Sequence, residues 1–239
     1  MDVALQGSLL DTVDEVGLRT LGSAIRRTML GPGGPGGPGG PGGSGGAWVD
    51  VRPGWLTGAD ELFSRLARDV PWHAERRQMY DREVDVPRLL SFYDEDDLLP
   101  DPVLVQARSA LSAHYERELG EPFRTAGLCF YRDGRDSVAW HGDTIGRGSN
   151  EDTMVAIISV GAPRALLLRP RGVGAGGGVG GWGGGGIGGA GRTLRHVLGH
   201  GDLLVMGGSC QRTWEHAVPK TARPVGPRIS IQFRPRGVR

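Results

Sequence analysis

The sequence predicts a mainly β domain of the sandwich or barrel type, with supporting helices on its N-terminal side. From Gly127 onward, short apolar runs alternate with glycine-rich turns. Before that point, apolar residues recur at helical spacing. Short apolar runs bounded by turn residues are typical of strands, whereas spacings of three and four residues are typical of amphipathic helices. The two patterns together predict an α+β chain in which helices flank a β core.

Two amphipathic helices are predicted in the first half of the chain. The first, over residues 59–69, places Leu62, Phe63 and Leu66 on one face. The second, over residues 102–119, repeats this spacing along a longer stretch. Each helix therefore has one apolar face with which to cover a sheet.

Strands are predicted throughout the second half. The principal runs are 128–131, 154–160, 165–168, 203–206 and 229–233. A further run, 194–198, follows a long glycine-rich tract. Closely spaced short strands of this kind are typical of a sandwich or barrel.

Two glycine-rich tracts divide the chain. The stretch 31–46 repeats Gly-Gly-Pro triplets, and we expect a flexible linker there, preceded by an N-terminal extension over 1–30. The stretch 171–191 lies between two strand-like runs and is too poor in apolar residues to pack. We expect an expanded hairpin loop, since long surface loops add little closure entropy. The folded domain is expected to occupy 47–239.

Composition and charge limit the class of protein. The formal net charge of +1 argues against a general polyanion-coating protein, although residues 217–239 carry six cations and no acid. Such a basic segment can face phosphates or a small anion. Cys129 and Cys210 form no disulfide framework, which indicates a reducing, cytoplasmic location. Because no apolar run is long enough for a membrane span and no secretory signal is visible, we expect no membrane partner. We also expect a monomer.

The segment 140–148, WHGDTIGRG, contains two potential metal ligands, His141 and Asp143. This pair alone is weak evidence, because His-x-Asp occurs by chance in many chains. His216, which lies between two strand-like runs, adds a second imidazole. Two imidazoles and a carboxylate form a facial triad that leaves coordination positions open, which suits non-haem Fe(II), although zinc accepts the same ligands.

The last predicted strand suggests an anion clamp. In residues 228–234, RISIQFR, a period of two puts Arg228, Ser230, Gln232 and Arg234 on one face and three apolar side chains on the other. Arginine grips carboxylates through paired hydrogen bonds. Six residues of strand span roughly 20 Å, so both arginines reach one small dicarboxylate only if the strand curves. Otherwise they are surface residues.

Together these motifs resemble the AlkB family of Fe(II)- and 2-oxoglutarate-dependent dioxygenases. The resemblance covers roughly residues 80–236 and rests on PRLLSFY (87–93), FYRDGRDSVAWHGD (130–143), HGDLLVMGGSCQRTWEHAVPK (200–220) and PRISIQFR (227–234). It implies a double-stranded β-helix (jelly roll), with Fe(II) as the metal and 2-oxoglutarate and O₂ as co-substrates. It also implies oxidative removal of alkyl groups from DNA or RNA bases, as in the repair of alkylation damage.

The resemblance also implies roles for individual residues. The iron ligands would be His141, Asp143 and His216. The 2-oxoglutarate contacts would come from Tyr131, Arg228 and Arg234, with Ser230 and Cys129 beside them. The candidates for lining a base pocket are Arg88, Tyr93 and Trp140, since flipped bases are held by stacking and edge contacts. Each of these last three also suits a structural role.

Two positions depart from the family's pattern. Cys129 stands where the family usually has an asparagine, two residues before Tyr131, so a co-substrate hydrogen bond is lost there or passes to the backbone. Ile145 stands where relatives that demethylate bases often have an acid that reads an exocyclic amine. The choice of base therefore stays open.

Two alternative functions stay open as well. The same oxygenase chemistry can act on a protein or small metabolite, which Ile145 and the near-neutral charge favour. The other alternative is a jelly-roll binding module with a vestigial or zinc-filled site, whose glycine tracts mediate assembly. The joint presence of three ligands and two arginines argues against this module.

Overall fold

A computed structural model describes residues 15–31, 46–79, 82–172 and 193–238. Most of the predicted linker (31–46) and of the predicted loop (171–191) lies outside these residues, as does the first part of the N-terminal extension. The proposed boundaries of the extension, linker and domain remain predictions. Among the described helices, none combines the length and apolar character that crossing a bilayer requires.

The described residues form fourteen strands and three α-helices, with single 3₁₀ turns at Gly22–Ala24 and Arg147–Ser149. The strands before the second long helix are β1 (Gly17–Leu18), β2 (Arg26–Leu30), β3 (Ala47–Arg52), β4 (Leu56–Thr57), β5 (His73–Met79) and β6 (Arg82–Tyr93). The later strands are β7 (Thr125–Tyr131), β8 (Val138–His141), β9 (Val155–Gly161), β10 (Arg164–Pro170), β11 (Leu194–Leu198), β12 (Asp202–Gly207), β13 (Trp214–Val218) and β14 (Arg228–Arg234). The helices are α1 (Ala59–Asp69), α2 (Pro102–Leu119) and the short α3 (Cys210–Thr213).

Two antiparallel sheets dominate the fold. The large sheet has the strand order β2-β3-β12-β9-β14-β7-β6-β5, and the small sheet has the order β11-β10-β13-β8. Strands β1 and β4 form a separate two-stranded ladder. Side chains of both sheets meet in one buried cluster, so the sheets pack face to face. This is the double-stranded β-helix that the resemblance implies.

The large sheet has a core on each of its faces. On the outer face, the helix-side core joins the sheet to both long helices, through residues such as Leu62, Leu66, Leu104, Leu111, Ile229, Ile231 and Phe233. On the inner face, the inter-sheet core contains Val49, Val155, Leu204, Leu168 and Leu198. The predicted alternation along β14 is confirmed, because its apolar residues belong to the helix-side core.

The two predicted helices have the expected bounds, and local chemistry explains where the longer one starts and stops. Asp101 caps α2 by accepting a hydrogen bond from the Val103 amide at 3.0 Å, and Pro102 occupies the first turn, where its missing N–H costs nothing. Gly120 ends the helix at a φ of 72°, a left-handed conformation that favours glycine.

Six strands precede residue 125, and the sequence pattern does not indicate them. Strand β3 carries Asp50, which is 2% exposed. Its carboxylate accepts hydrogen bonds from Arg27 of β2, at 2.8 and 2.7 Å, and from the Tyr115 hydroxyl of α2, at 3.0 Å. Asp50 interrupts the apolar run that would identify β3 as a strand. Its burial is possible only because these hydrogen bonds offset the cost of removing a carboxylate from water. Part of the predicted extension thus supplies a strand to the large sheet.

Candidate active site

The three predicted metal ligands meet at one end of the small sheet. His141 is the last residue of β8 and pairs directly with His216 of β13. Asp143 lies in the turn that follows β8. One ligand atom from each of the three residues lies within 4.8 Å of the other two, which is close enough for all three to bind one metal ion.

The hydrogen bond of His141 fixes which of its ring nitrogens is free. Its Nδ1 lies 2.9 Å from the carbonyl oxygen of Ala139. Because a carbonyl oxygen only accepts, Nδ1 must carry the proton and Nε2 keeps its lone pair. A backbone partner of this kind is what a metal-ligating histidine usually has. Nε2 lies on the side of Asp143, 3.9 Å from its Oδ1.

The backbone around Asp143 is held by Gln211 of α3. The Asp143 amide donates to Gln211 Oε1 at 3.0 Å, and Gln211 is 1% exposed. Glycine at position 142 allows the turn to lie this close to α3, because a Cβ there would lie 2.5 Å from the Gln211 carbonyl oxygen. The sequence analysis did not single out Gln211, since only the tertiary structure brings it to a position 68 residues earlier in the chain.

The charges of the site keep its ligands in their metal-binding protonation states. Burial would raise the pKa of Asp143, but the neighbouring Arg234 guanidinium, followed by the His216 and His141 rings, lowers it to about 2. Burial, followed by the neighbouring His141, lowers the pKa of His216 to about 3. At neutral pH the cluster therefore offers one carboxylate and a neutral His216 imidazole.

A cavity of about 1400 Å³ opens in front of the ligands. Its lining includes His141, Asp143 and His216 together with Arg228, Ser230, Gln232 and Arg234, the whole inner face of β14. Both predicted co-substrate arginines thus share one cavity with the predicted metal ligands. Arg228 and Arg234 are the first and last residues of β14, so they line this cavity at opposite ends of the strand.

The two arginines lie in different surroundings. Arg234 donates from Nε to Asp143 Oδ2 at 3.1 Å, so it is next to the ligand cluster. Arg228 is 2% exposed and donates from Nε to the Ser159 hydroxyl at 2.8 Å. Its Nη1 is buried and finds no partner in the part of the chain that the structure describes. Burial lowers the pKa of Arg228, which the nearby Tyr131 partly offsets. An unsatisfied buried guanidinium calls for an anion.

Tyr131 and Cys129 line the same end of the cavity from β7. Tyr131 pairs with Arg228, and the guanidinium lies 5.3 Å from the centre of its ring. Cys129 pairs with Ser230, and its thiol lies 3.7 Å from Gln232 Oε1. Gln232 in turn donates to the Ser230 hydroxyl at 2.8 Å. Gln232 therefore links two of the predicted co-substrate residues, which its place on the polar face of the strand could have signalled.

The three candidates for a base pocket all border the cavity but differ in their surroundings. Arg88 donates to the carbonyl oxygen of Ser137 at 3.0 Å. Trp140 is half-buried and stacks under Arg169, whose Cζ lies 4.2 Å from the ring centre. Tyr93 is 9% exposed and belongs to the helix-side core. Since successive side chains of a strand point to opposite faces, the neighbouring Phe92 lies on the other face of β6.

The mouth of the cavity has further residues, of which the sequence analysis singled out only Ile145. Three exposed apolar side chains lie there: Phe92 is 45%, Ile145 69% and Leu98 93% exposed. His73, the first residue of β5, also lines the cavity. Nothing in the local spacing of these residues distinguishes them from ordinary surface positions.

Comparisons with known proteins are consistent across sequence and fold. The family profile described as the 2OG-Fe(II) oxygenase superfamily matches residues 93–234. The bovine alpha-ketoglutarate-dependent dioxygenase alkB homolog 3 is 31% identical over 189 residues, which cover 75% of this chain and 62% of that protein. The Arabidopsis thaliana DNA oxidative demethylase ALKBH2 is 28% identical over 72% of this chain and 60% of that protein.

The chain thus spans about three fifths of the length of these curated relatives. A crystal structure of SnoK, a non-heme alpha ketoglutarate dependent carbocyclase from nogalamycin biosynthesis, matches with a TM-score of 0.50 and 14% identity. That match covers 78% of this chain and 79% of SnoK, and it shows likeness of fold alone.

Proposed function

Because the chain belongs to the 2OG-Fe(II) oxygenase superfamily, we propose that it removes alkyl groups oxidatively from the bases of DNA or RNA. The match confirms the predicted family, and with it Fe(II) as the metal and 2-oxoglutarate and O₂ as the co-substrates. The observation that carries the proposal is the convergence of His141, Asp143 and His216 within 4.8 Å, in one cavity with Arg228 and Arg234. Relatives named as DNA oxidative demethylases support the substrate class.

The residues present fit the metal and the co-substrate. The two imidazoles and one carboxylate are a donor set that suits Fe(II) and leaves coordination positions open. The buried, partnerless Nη1 of Arg228 fits a carboxylate of 2-oxoglutarate, which would satisfy it through a charge-assisted hydrogen bond. When bound, Fe(II) with 2-oxoglutarate and O₂ supplies the oxidising power needed to attack an alkyl C–H bond.

The protein's own residues bind the co-substrate and orient the metal ligands. Arg228 and Tyr131 would hold a carboxylate of 2-oxoglutarate, and the Ser159 hydroxyl fixes the Arg228 side chain. Arg234 keeps Asp143 ionised and orients its carboxylate. The Ala139 carbonyl keeps Nε2 of His141 available as a ligand. These contacts preorganise the site before any substrate enters.

The cavity also has room for a base. Its volume of about 1400 Å³ exceeds what one small dicarboxylate needs. Trp140, held under Arg169, presents an aromatic surface at the wall. A base that has left its stack is typically held by such surfaces and by edge contacts. We propose that Trp140 and Arg88 contact the base, with Phe92 on the cavity side of β6.

We also propose an assembly state and a location for the protein. All three ligands and both arginines come from one chain, so we propose that the protein acts as a monomer, with nucleic acid as its partner and no membrane partner. The buried free thiols of Cys129 and Cys210 support the proposed cytoplasmic location.

The test is to mix the iron-loaded protein with 2-oxoglutarate and oligonucleotides that carry N-methylated bases, and to follow both succinate and the methyl groups. We expect succinate and methyl loss to rise together. Succinate without methyl loss would instead indicate a protein or metabolite substrate. If neither succinate nor methyl loss is detected, the result would indicate a binding module.

The matched control compares two histidines. His141→Ala is expected to abolish turnover while the melting temperature changes little, because the side chain is partly exposed and its one hydrogen bond among the described residues goes to the nearby Ala139 carbonyl. His114→Ala, on the exposed side of α2, is expected to leave turnover intact. Retained activity in His141→Ala would overturn the ligand assignment.

A further inference from the structure

Two loops beside the cavity are joined into one rigid unit. The first, 132–136, follows β7, and the second, 219–223, follows β13. The Thr221 amide donates to the Gly134 carbonyl at 2.8 Å, and a Cβ at Gly134 would collide with the Thr221 carbonyl. The loops therefore lie against each other too closely for any residue except glycine at position 134.

A buried arginine fastens the two loops from beneath. Arg164 of β10 is 4% exposed and donates to three backbone carbonyls, those of Asp133, Asp136 and Pro219, at 2.9, 2.8 and 2.8 Å. Two of these carbonyls belong to the first loop and one to the second. Both loops thus keep one fixed geometry, as a recognition surface requires.

This joined pair of loops is basic. Its four cations, Arg132, Arg135, Lys220 and Arg223, form what we call the basic platform. Two carboxylates accompany them, so the pair has a net charge of +2 in a chain whose total is only +1. Arg132 and Arg135 pair with Asp136 and Asp133. Lys220 and Arg223 are exposed, and neither side chain has an acidic partner among the described residues.

The platform begins at the wall of the cavity. Lys220, the only lysine of the chain, is itself a lining residue, as are Ser137 and Val138 just after the first loop. The segment at Asp97 and Leu98, by contrast, contributes an acid and an apolar side chain to the same mouth. Charge at the rim is therefore uneven, because Lys220 attracts a polyanion whereas Asp97 repels it.

We propose that the basic platform binds the phosphates that flank the base in the cavity, with Lys220 and Arg223 as the contacting residues. This inference rests on the proposed function, since it names how the nucleic acid is held at that site. Unpaired cations next to a deep cavity supply the sequence-independent part of nucleic-acid affinity. Lys220 and Arg223 position the strand, and the cavity holds the base.

The first experiment measures binding of the full chain to a fluorescein-labelled, single-stranded oligonucleotide by anisotropy at several salt concentrations. The double variant Lys220→Ala/Arg223→Ala is compared with a matched variant, Arg26→Ala/Arg117→Ala, which removes two exposed arginines from β2 and α2. Each lost phosphate contact lowers the slope of log K against log salt by about 0.7, so the platform variant should lose about 1.4 and bind about tenfold more weakly at 0.2 M salt. The matched variant should keep the wild-type slope.

The second experiment uses the single lysine. Acetylation of Lys220 by an amine-specific reagent, followed by mass spectrometry, should slow several-fold when the oligonucleotide is bound. A methylated free nucleoside, which lacks flanking phosphates, should give no protection. Equal protection by the nucleoside would overturn the assignment of Lys220 to phosphate.

The outcomes separate this inference from the proposed function. If methyl groups are removed but the platform variant binds like wild type, the platform is refuted and the proposed function stands. If the platform variant alone loses affinity while no methyl group is removed from any oligonucleotide, the platform stands and the demethylase is refuted. Equal losses in both double variants would refute the platform, because the effect would be one of net charge.

Discussion

Replacing Gly142 by alanine tests how tightly the ligand turn is held. Gly142 lies between the ligands His141 and Asp143, and an added Cβ would lie 2.5 Å from the Gln211 carbonyl oxygen, 2.7 Å from Arg171 Nη2 and 3.3 Å from the Trp214 carbonyl oxygen. The Arg171 side chain can swing aside, but the two carbonyls belong to the backbone. The turn must therefore move away from α3.

The size of the effect follows from that geometry. Real Cβ atoms stay at least 3.0 Å from other heavy atoms, so the turn must shift by about 0.5 Å against Gln211. Overpacking of this kind costs about 1–3 kcal/mol. Changes in the groups that orient metal ligands lower metal affinity about 10- to 100-fold, and we expect a loss in that range. In a domain of this size the stability cost lowers the melting temperature by only a few degrees per kcal/mol.

The assay is a titration of the metal-free protein with Co(II), followed by its visible absorption, together with thermal unfolding of the same samples. Gly226→Ala is the matched control, because the nearest atom to its new Cβ, Ala162 Cβ, lies at an ordinary 3.6 Å. We expect the control to bind Co(II) like wild type. If Gly142→Ala also binds like wild type, the turn is not held as the structure indicates and the reasoning is refuted.

Three further predictions concern the co-substrate, pH and the core. Arg228→Lys keeps the positive charge but loses the planar guanidinium that can donate two hydrogen bonds to a carboxylate, so the KM for 2-oxoglutarate should rise about 10- to 100-fold. An unchanged KM in steady-state assays would contradict the assignment. Burial lowers the pKa of His196, so the unfolded chain binds more protons and stability must fall as pH drops below about 6.5. Urea midpoints at pH 7 and 5 should show a smaller fall in His196→Leu, and an identical fall would argue against burial of the ring. Ile231→Val, at a fully buried position facing α1 and α2, should cost about 1 kcal/mol in urea unfolding, whereas no loss would place this face of β14 outside the core.

Much of the candidate site was accessible from the sequence because its signals are local. The His141-Asp143 pair and the alternation from Arg228 to Arg234 occupy short segments whose spacing alone fixes which side chains share a turn or a face. The helices at 59–69 and 102–119 were equally accessible, since helical periodicity depends only on near neighbours. Resemblance to a known family then joined these separate segments into one site.

Other features required contacts between distant parts of the chain. Strand β3 was hidden by Asp50, whose burial depends on Arg27 and on Tyr115, 65 residues later. The contact of Arg234 with Asp143 joins residues 91 positions apart. Neither partner identifies the other in the sequence.

The sequence by itself determined the donor set, the polar face of the last strand and the two helices, because spacing along a short segment fixes these. Only the tertiary structure decided that Arg234 lies beside the metal ligands while Arg228 is buried near Tyr131, and that Gln211 holds the Asp143 turn. The physical reason is that strand pairing and sheet curvature bring together residues whose separation along the chain carries no information about their separation in space.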